Sequence, residues 1–283
     1  QSQSKNFQLI RTEQYLAPNQ ALNLGLAHVN TEYLIFIDND IYVEPGWLEK
    51  LINCAEETQA SVVCPLVCIE SLNVPWACAA CQERYCKIHL AGGEARIILE
   101  VKNEKIRRKI HEKHYFVNRP VAEVKDQLQR KECELAKFHC LLVRTDIFKT
   151  IGQLDEILLS TREDIDFCLT VTHAGGYIYC QPDSVVTYVP AQNLKLSDIS
   201  YFLLRWSDRW VLTSLEHFAQ KWNITKKDEY LRKLYKSLEQ HRHQALLPPL
   251  IRQFSFGSYA TWLERGLVAV ERKLNRYFGN SLS

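Results

Sequence analysis

Residues 33–37 read YLIFI, and Asp38-Asn39-Asp40 follow at once. Five apolar or aromatic residues without a polar break fit a strand covered on both faces, as in a parallel sheet. The flanks carry the helical period. PNQALNLGLAHV (18–29) sets Leu22, Leu26 and Val29 on one face, and PGWLEKLINCAEET (45–58) does the same with Leu48, Leu51, Ile52 and Ala55, Pro45 suiting the helix start. NFQLI (6–10) and SVVCPLV (61–67) read as strands, so the order is strand–helix–strand–helix–strand. That alternation predicts a layered α/β domain.

Beyond residue 67 the pattern weakens until FHCLLV (138–143), which reads as a strand. RTDIFKTIG (144–152) follows as a short helix with Thr145 as its cap and Gly152 past its end. REDIDFCLTVTHAGG (162–176) is a helix closed by two glycines, and YIYC (177–180) and SVVTYV (184–189) are two more strands. From about 193 the sequence is helical, in three amphipathic stretches at 198–222, 226–242 and 259–278. LLPPL (246–250) is expected to break the second from the third. In the first stretch Trp206 and Trp210 lie four apart on one face and read as core.

Composition narrows the function classes. A net charge of +2 over 283 residues gives no electrostatic reason to expect a nucleic-acid partner. No apolar run reaches the roughly 18 residues that a membrane span needs. Several of the ten cysteines, such as Cys140, Cys168 and Cys180, sit inside apolar runs and read as small buried hydrophobes, which suggests a reducing, cytoplasmic setting.

In an open α/β sheet, ligands bind beyond the carboxyl ends of the strands. Asp38 and Asp40 occupy such a place, and two carboxylates one residue apart can converge on Mg²⁺ or Mn²⁺. The same residues can simply form a turn, and on spacing alone the turn is the commoner outcome. Glu163, Asp164 and Asp166 form a second acidic group at a helix start. There Ser160 and Glu163 fit a capping box, and acids favour the positive end of the helix dipole. A carboxylate at such a place could also serve as a general base.

The order of several segments adds more. EYLIFIDNDIYVEPGWLEKL resembles the metal-binding segment of family 2 glycosyltransferases of the GT-A fold, and NQALNLGLAHVNTEY resembles the helix before it, with Ala21, Asn23 and Gly25 in matching places. HLAGGEA (89–95), FHCLLVRTDIFKTIGQLDE and REDIDFCLTVTHAGGYI resemble three further segments, so the likeness runs from about residue 5 to 190. It implies a GT-A-type, Rossmann-like mixed sheet flanked by helices over residues 1–192, with a helical C-terminal extension over 193–283.

The resemblance also implies roles. Asp38 and Asp40 would hold Mn²⁺ or Mg²⁺, with Asp38, Asn23 and Asn39 as donor contacts. Asp164 would be the base and Glu163 would orient the acceptor or the helix. The donor would be a nucleotide sugar, UDP-sugar favoured, and the acceptor a glycan, lipid-linked or protein hydroxyl, with inversion at the anomeric carbon. A peripheral membrane association and self-association through the C-terminal helices fit the same picture.

Two departures stand out. Many members place a metal-binding His where this chain has Tyr188, and a phenol is a poor ligand for these ions. The Asp-Asn-Asp also comes early, which suggests a chain lacking about 50–60 residues, since a βαβ unit takes about 30 or more. An exposed apolar sheet edge beside YLIFI is then expected. These departures favour the rival reading, a non-catalytic sugar- or protein-binding module on the same fold.

Other clusters read as structural. Cys64, Cys68, Cys78, Cys81, Cys86 and His89 include a C-x2-C pair but lack a well-spaced second pair for zinc. KNEKIRRKIHEK (102–113) holds six Lys/Arg against two Glu and reads as a solvated helix or loop.

Overall fold

The computed structural model describes residues 7–69, 86–102, 104–189, 195–225, 229–254 and 261–281, and for 102, 196, 248–254, 261–264 and 277–281 the backbone alone. The predicted Cys78 and Cys81 lie outside the described residues.

A seven-stranded mixed sheet forms the centre. Its strands are β1 (Tyr33–Ile37), β2 (Ile41–Val43), β3 (Val62–Ile69), β4 (Lys87–Leu90), β7 (Lys131–Cys133), β8 (Cys140–Arg144) and β9 (Ile178–Tyr188). The main path runs β1-β8-β3-β9-β2, with β4 added to β3 and β7 to β9. β8 is antiparallel to both β1 and β3, while β3 and β9 are parallel. Hence β1, β3 and β9 all point the same way, and their carboxyl ends share one side of the sheet.

Helices cover both faces. On one, α2 (Trp47–Thr58) packs Leu51, Cys54 and Ala55 against Val63 and Leu142. On the other, α4 (Glu163–His173) packs Ile165, Phe167, Cys168 and Leu169 with Val62, Cys64, Leu141 and Val143. The neighbouring pairs Val62/Val63 and Leu141/Leu142 thus feed opposite faces, the period-2 rule of a strand buried on both sides. Each such Leu or Ile contributes roughly 1.5–3 kcal/mol by leaving water.

Several local expectations are corrected. NFQLI forms no strand: residues 7–12 are irregular, with Phe7 75% exposed. YLIFI is indeed β1, but it pairs antiparallel with β8 and alternates in burial, Leu34 and Phe36 inward. Among the described residues it lies at the sheet edge. The two strands read at 177–189 are one, β9, which runs through Pro182; the irregularity in its pairing falls between Pro65 and Leu66 of β3. One step on β3 there faces four on β9, so the extra residues, Pro182 among them, bulge out of β9 and need no ladder partner.

Residues 93–114 hold the largest difference. KNEKIRRKIHEK is neither helix nor loop but most of β6 (Lys105–His114), paired in full with β5 (Gly93–Lys102) as a two-stranded ribbon. Its root is the double glycine. Gly92 has φ +73°, and a Cβ on Gly93 would strike the Lys113 carbonyl oxygen. Gly93→Ala should therefore open the ribbon and destabilise the protein by about 1–3 kcal/mol, read by chemical denaturation.

The expected caps are also replaced. α3 (Ile147–Ile151) does not use the Thr145 hydroxyl, which donates instead to the Thr31 and Glu32 carbonyls, although Gly152 ends the helix at φ +75° as expected. Nor does Ser160 cap α4. Its hydroxyl donates to the Arg205 carbonyl, and Arg162, at φ +75°, holds the cap position.

The C-terminal helices are α5 (Ile199–Arg205), α6 (Asp208–Lys221), α7 (Glu229–Phe254) and α8 (Thr261–Ser281). α7 continues through Pro248 and Pro249 to Phe254, so the expected break does not fall at LLPPL. Trp210 is buried as expected, while Trp206 is half-buried and set edge-on to His241. Polar bonds tie these helices to the core: Lys221 bridges Asp155 and Asp166, and Ser214 bonds the Ser160 N–H. No described helix is long and apolar enough to cross a membrane.

Candidate active site

The sheet fixes the place. β1 ends at Ile37, and the Asp38 N–H donates to the His139 carbonyl just before β8 begins. The chain then turns: the Ile41 N–H donates to the Asp38 carbonyl, and the Asp40 carbonyl accepts from Val189 at the end of β9. The acidic triplet does therefore form a turn, and that turn lies at the carboxyl ends of β1 and β9. Asn39 is exposed at its tip.

The two carboxylates differ. Asp38, 46% exposed, accepts from or pairs with His139 Nδ1 at 2.8 Å. Asp40 Oδ1 is buried and has no hydrogen-bond partner among the described residues. Burial, then the nearby Asp38 charge, pushes the Asp40 pKa up. A buried carboxylate oxygen without a donor is costly, and a cation or a donor group relieves that cost.

Histidines extend the site from Asp38. His139 Nε2 lies 3.1 Å from His89 Nε2, and Tyr188 stacks on His139 at 4.9 Å between ring centres. Burial, then the His139 and Lys137 charges, pulls His89 down to about 4, so it is neutral at physiological pH. Tyr188 thus lies beside the aspartate turn, with its phenol pKa raised by burial and by Asp40 and Asp38.

The second acidic group divides by partner. Asp166 is 4% exposed and bonds Lys221 at 2.7 Å and the Trp222 indole N–H at 2.8 Å. Glu163 pairs with Arg205 at 2.6 Å. Asp164 has the loosest tie, 3.5 Å to Lys137 Nζ, and its other oxygen accepts from the Ile165 N–H. Of the three, Asp164 is the carboxylate least committed to the fold.

Residues 137–139 join the two acidic groups. Phe138 stands edge-on to Phe36 of β1 at 5.2 Å and packs on Phe167 of α4 at 5.3 Å. On either side of that anchor, Lys137 reaches Asp164 and His139 reaches Asp38. Residues 137–139 thus link Asp38 and Asp164, although 126 positions separate those two in the chain.

Asn23 is bonded to the 154–156 loop. It is 4% exposed, and its amide donates to the Leu154 carbonyl and to Glu156 while its oxygen accepts the Leu154 N–H. Both of its N–H groups are spent locking α1 (Pro18–Leu26) to the loop before α4.

Four residues near the acids escaped the sequence reading: Lys137, His139, Arg162 and Arg205. Arg162 precedes Glu163 and bonds Glu112 at 2.9 Å and the Tyr230 hydroxyl at 2.8 Å. Burial alone would raise the Glu112 pKa, but the His114 hydrogen bond and the Arg162 charge outweigh it and hold the carboxyl well below its usual range. Arg162→Ala would leave Glu112 buried without its cation. The expected loss is about 3–5 kcal/mol of stability, measured by denaturant unfolding.

Among the described residues, no three His, Cys, Asp or Glu converge as a metal-binding group. Cys64, Cys68 and Cys86 form no disulfide among the described residues. A groove of about 1340 Å³ between β6 and helices α6 and α7 contains none of the acids above.

Comparison with known proteins now bears on this arrangement. Residues 1–75 match the family model described as glycosyl transferase family 2. No curated protein matches. Among solved structures, the chain is similar to GalNAc-T7 with UDP, GalNAc and Mn²⁺, at 14% identity and a TM-score of 0.44, over 83% of this chain and 47% of that one. The chain therefore spans about half the length of that structure. Residues 1–75, which include the Asp-Asn-Asp turn, are thus similar to glycosyl transferase family 2.

Proposed function

We propose that this chain transfers a sugar from a nucleotide-sugar donor, UDP-sugar favoured, to an acceptor hydroxyl with inversion. The observation that carries the reading is the Phe138 anchor, which ties Asp38 and Asp164 into one site through His139 and Lys137.

Asp38 and Asp40 are the metal-binding pair in this reading. Hard carboxylate oxygens suit Mg²⁺ or Mn²⁺, and the buried, partnerless Asp40 Oδ1 fits a cation. When bound, such an ion supplies charge neutralisation for the diphosphate of the departing nucleotide. Asp38 and Asn39, at the exposed turn, contact the donor. The histidine pair fixes the Asp38 carboxylate from behind.

Asp164 acts as the base. Its Oδ2, held only loosely by Lys137, takes the proton of the acceptor hydroxyl as the hydroxyl oxygen bonds to the anomeric carbon. The bond from the anomeric carbon to the phosphate oxygen breaks, and the nucleoside diphosphate leaves with the electron pair. Glu163, held by Arg205, sets the start of α4 and so the aim of Asp164. Residues 1–192 are the catalytic unit in this proposal, and α5 and α6 complete it by neutralising Glu163 and Asp166.

Incubation with UDP-sugars and Mn²⁺ tests the proposal. UDP should be released slowly to water and faster with an acceptor, and chelation should stop it. One observation favours a binding module instead, the Tyr188 phenol where an imidazole is expected. Metal-dependent donor binding with no turnover of any donor would move the reading there.

A further inference from the structure

We propose that Lys137 is a binding residue for the donor diphosphate, shared in the resting protein with Asp164. The inference rests on the glycosyltransferase reading above and adds a residue to it.

The resting contact is loose. Lys137 Nζ lies 3.5 Å from Asp164 Oδ2, beyond the 2.7–2.9 Å of a firm charge-assisted hydrogen bond. A permanent pair would also oppose the chemistry. An ammonium beside a base favours the ionised carboxylate and so resists its protonation. As Asp164 takes the acceptor proton, its charge disappears and the Lys137 cation loses its partner. In the same step, negative charge develops on the leaving diphosphate at the Asp38–Asp40 turn. Lys137 pairs with the one and lies two residues before His139, which bonds Asp38 at the other, and the Lys137 charge is felt by His89, which touches His139.

The surrounding charges leave the task to Lys137. Arg162 is engaged by Glu112 and Tyr230, Arg205 by Glu163, and Lys221 by Asp155 and Asp166. The described contacts give Lys137 the single partner Asp164. The turn meanwhile offers two carboxylates and, among the described residues, no third ligating side chain in convergence. A diphosphate held there needs further positive charge, and a lysine on a flexible four-carbon stem can supply it.

The test compares wild type, Lys137→Gln and Lys137→Arg by calorimetric titration with UDP, UMP and uridine in Mn²⁺, with thermal unfolding run on all three proteins. The expected result is that Lys137→Gln weakens UDP binding about 10- to 100-fold, the worth of one charge-assisted hydrogen bond, while uridine affinity stays within about twofold. Lys137→Arg should recover most of the loss. Equal effects on UDP and uridine, or none on UDP, would overturn the proposal and leave Lys137 as a structural counter-ion of Asp164. Wild type that binds neither UDP nor UMP would overturn it too, and the UDP-sugar reading with it.

Discussion

Replacing Asp164 by Asn is expected to lower kcat by about 10²–10⁴-fold, the usual worth of a general base, while metal-dependent UDP binding changes little. The split between rate and affinity follows from the geometry. In the proposed reading Asp164 serves the acceptor, and among the described side chains Lys137 alone forms an ion pair with it. The neighbouring acids cannot stand in for it. Glu163 is pinned by Arg205, and Asp166 by Lys221 and Trp222. Burial pushes both of their pKa values up, so each depends on its cation to stay ionised. Glu163→Gln should therefore cost stability as well as rate, because Arg205 would lose its counter-ion. Initial rates with a UDP-sugar and calorimetry with UDP, run on the same preparations, separate these outcomes. An unchanged rate in Asp164→Asn would place the base elsewhere.

Asp40→Asn should abolish cation-dependent nucleotide binding and at the same time raise the melting temperature by a few degrees. Asp40 holds a buried oxygen with no donor and sits beside the Asp38 charge. Its pKa is raised in the folded protein, so folding favours the protonated form. The cost of the charge is absent below the unfolded value of about 3.9 and fully present above the raised folded value. The stabilisation by Asn should therefore appear at neutral pH and vanish as pH falls below about 4. Mn²⁺ should stabilise the wild type by mass action but not the variant. As pH falls through the raised Asp40 pKa, Mn²⁺-dependent binding should fade, and it should do so at a higher pH than for an ordinary aspartate. A variant that is less stable, or that still binds with Mn²⁺, would count against Asp40 as a ligand.

Much of the sheet was legible because its strands are short apolar runs between helices of clear period. β1, β3, β8 and the helices α2 and α4 emerge from that pattern alone. The β5–β6 ribbon did not, for a physical reason. On β6 the side that carries buried Ile110 also carries Arg108, Glu112 and His114, with Glu112 paired to Arg162 and His114 to Glu112. A strand whose inward residues are charged shows no apolar alternation. α1 misled in the opposite sense: Leu22 and Leu26 are half-buried and Leu24 exposed, and its buried residues are Asn19 and Asn23, which bond the 154–156 loop. The acids of the site were visible as Asp-Asn-Asp and Glu-Asp-x-Asp. The residues that join them were not, since the His139–Asp38 pair spans 101 positions and no local pattern announces it.

The central claim is that the Asp38–Asp40 turn holds a nucleoside diphosphate through a divalent cation. Calorimetric titration of UDP into the chain, once with Mn²⁺ and once with a chelator, tests it most directly. The account predicts saturable binding with Mn²⁺ that weakens at least tenfold when the ion is removed. UDP affinity that is the same with and without Mn²⁺ would contradict it.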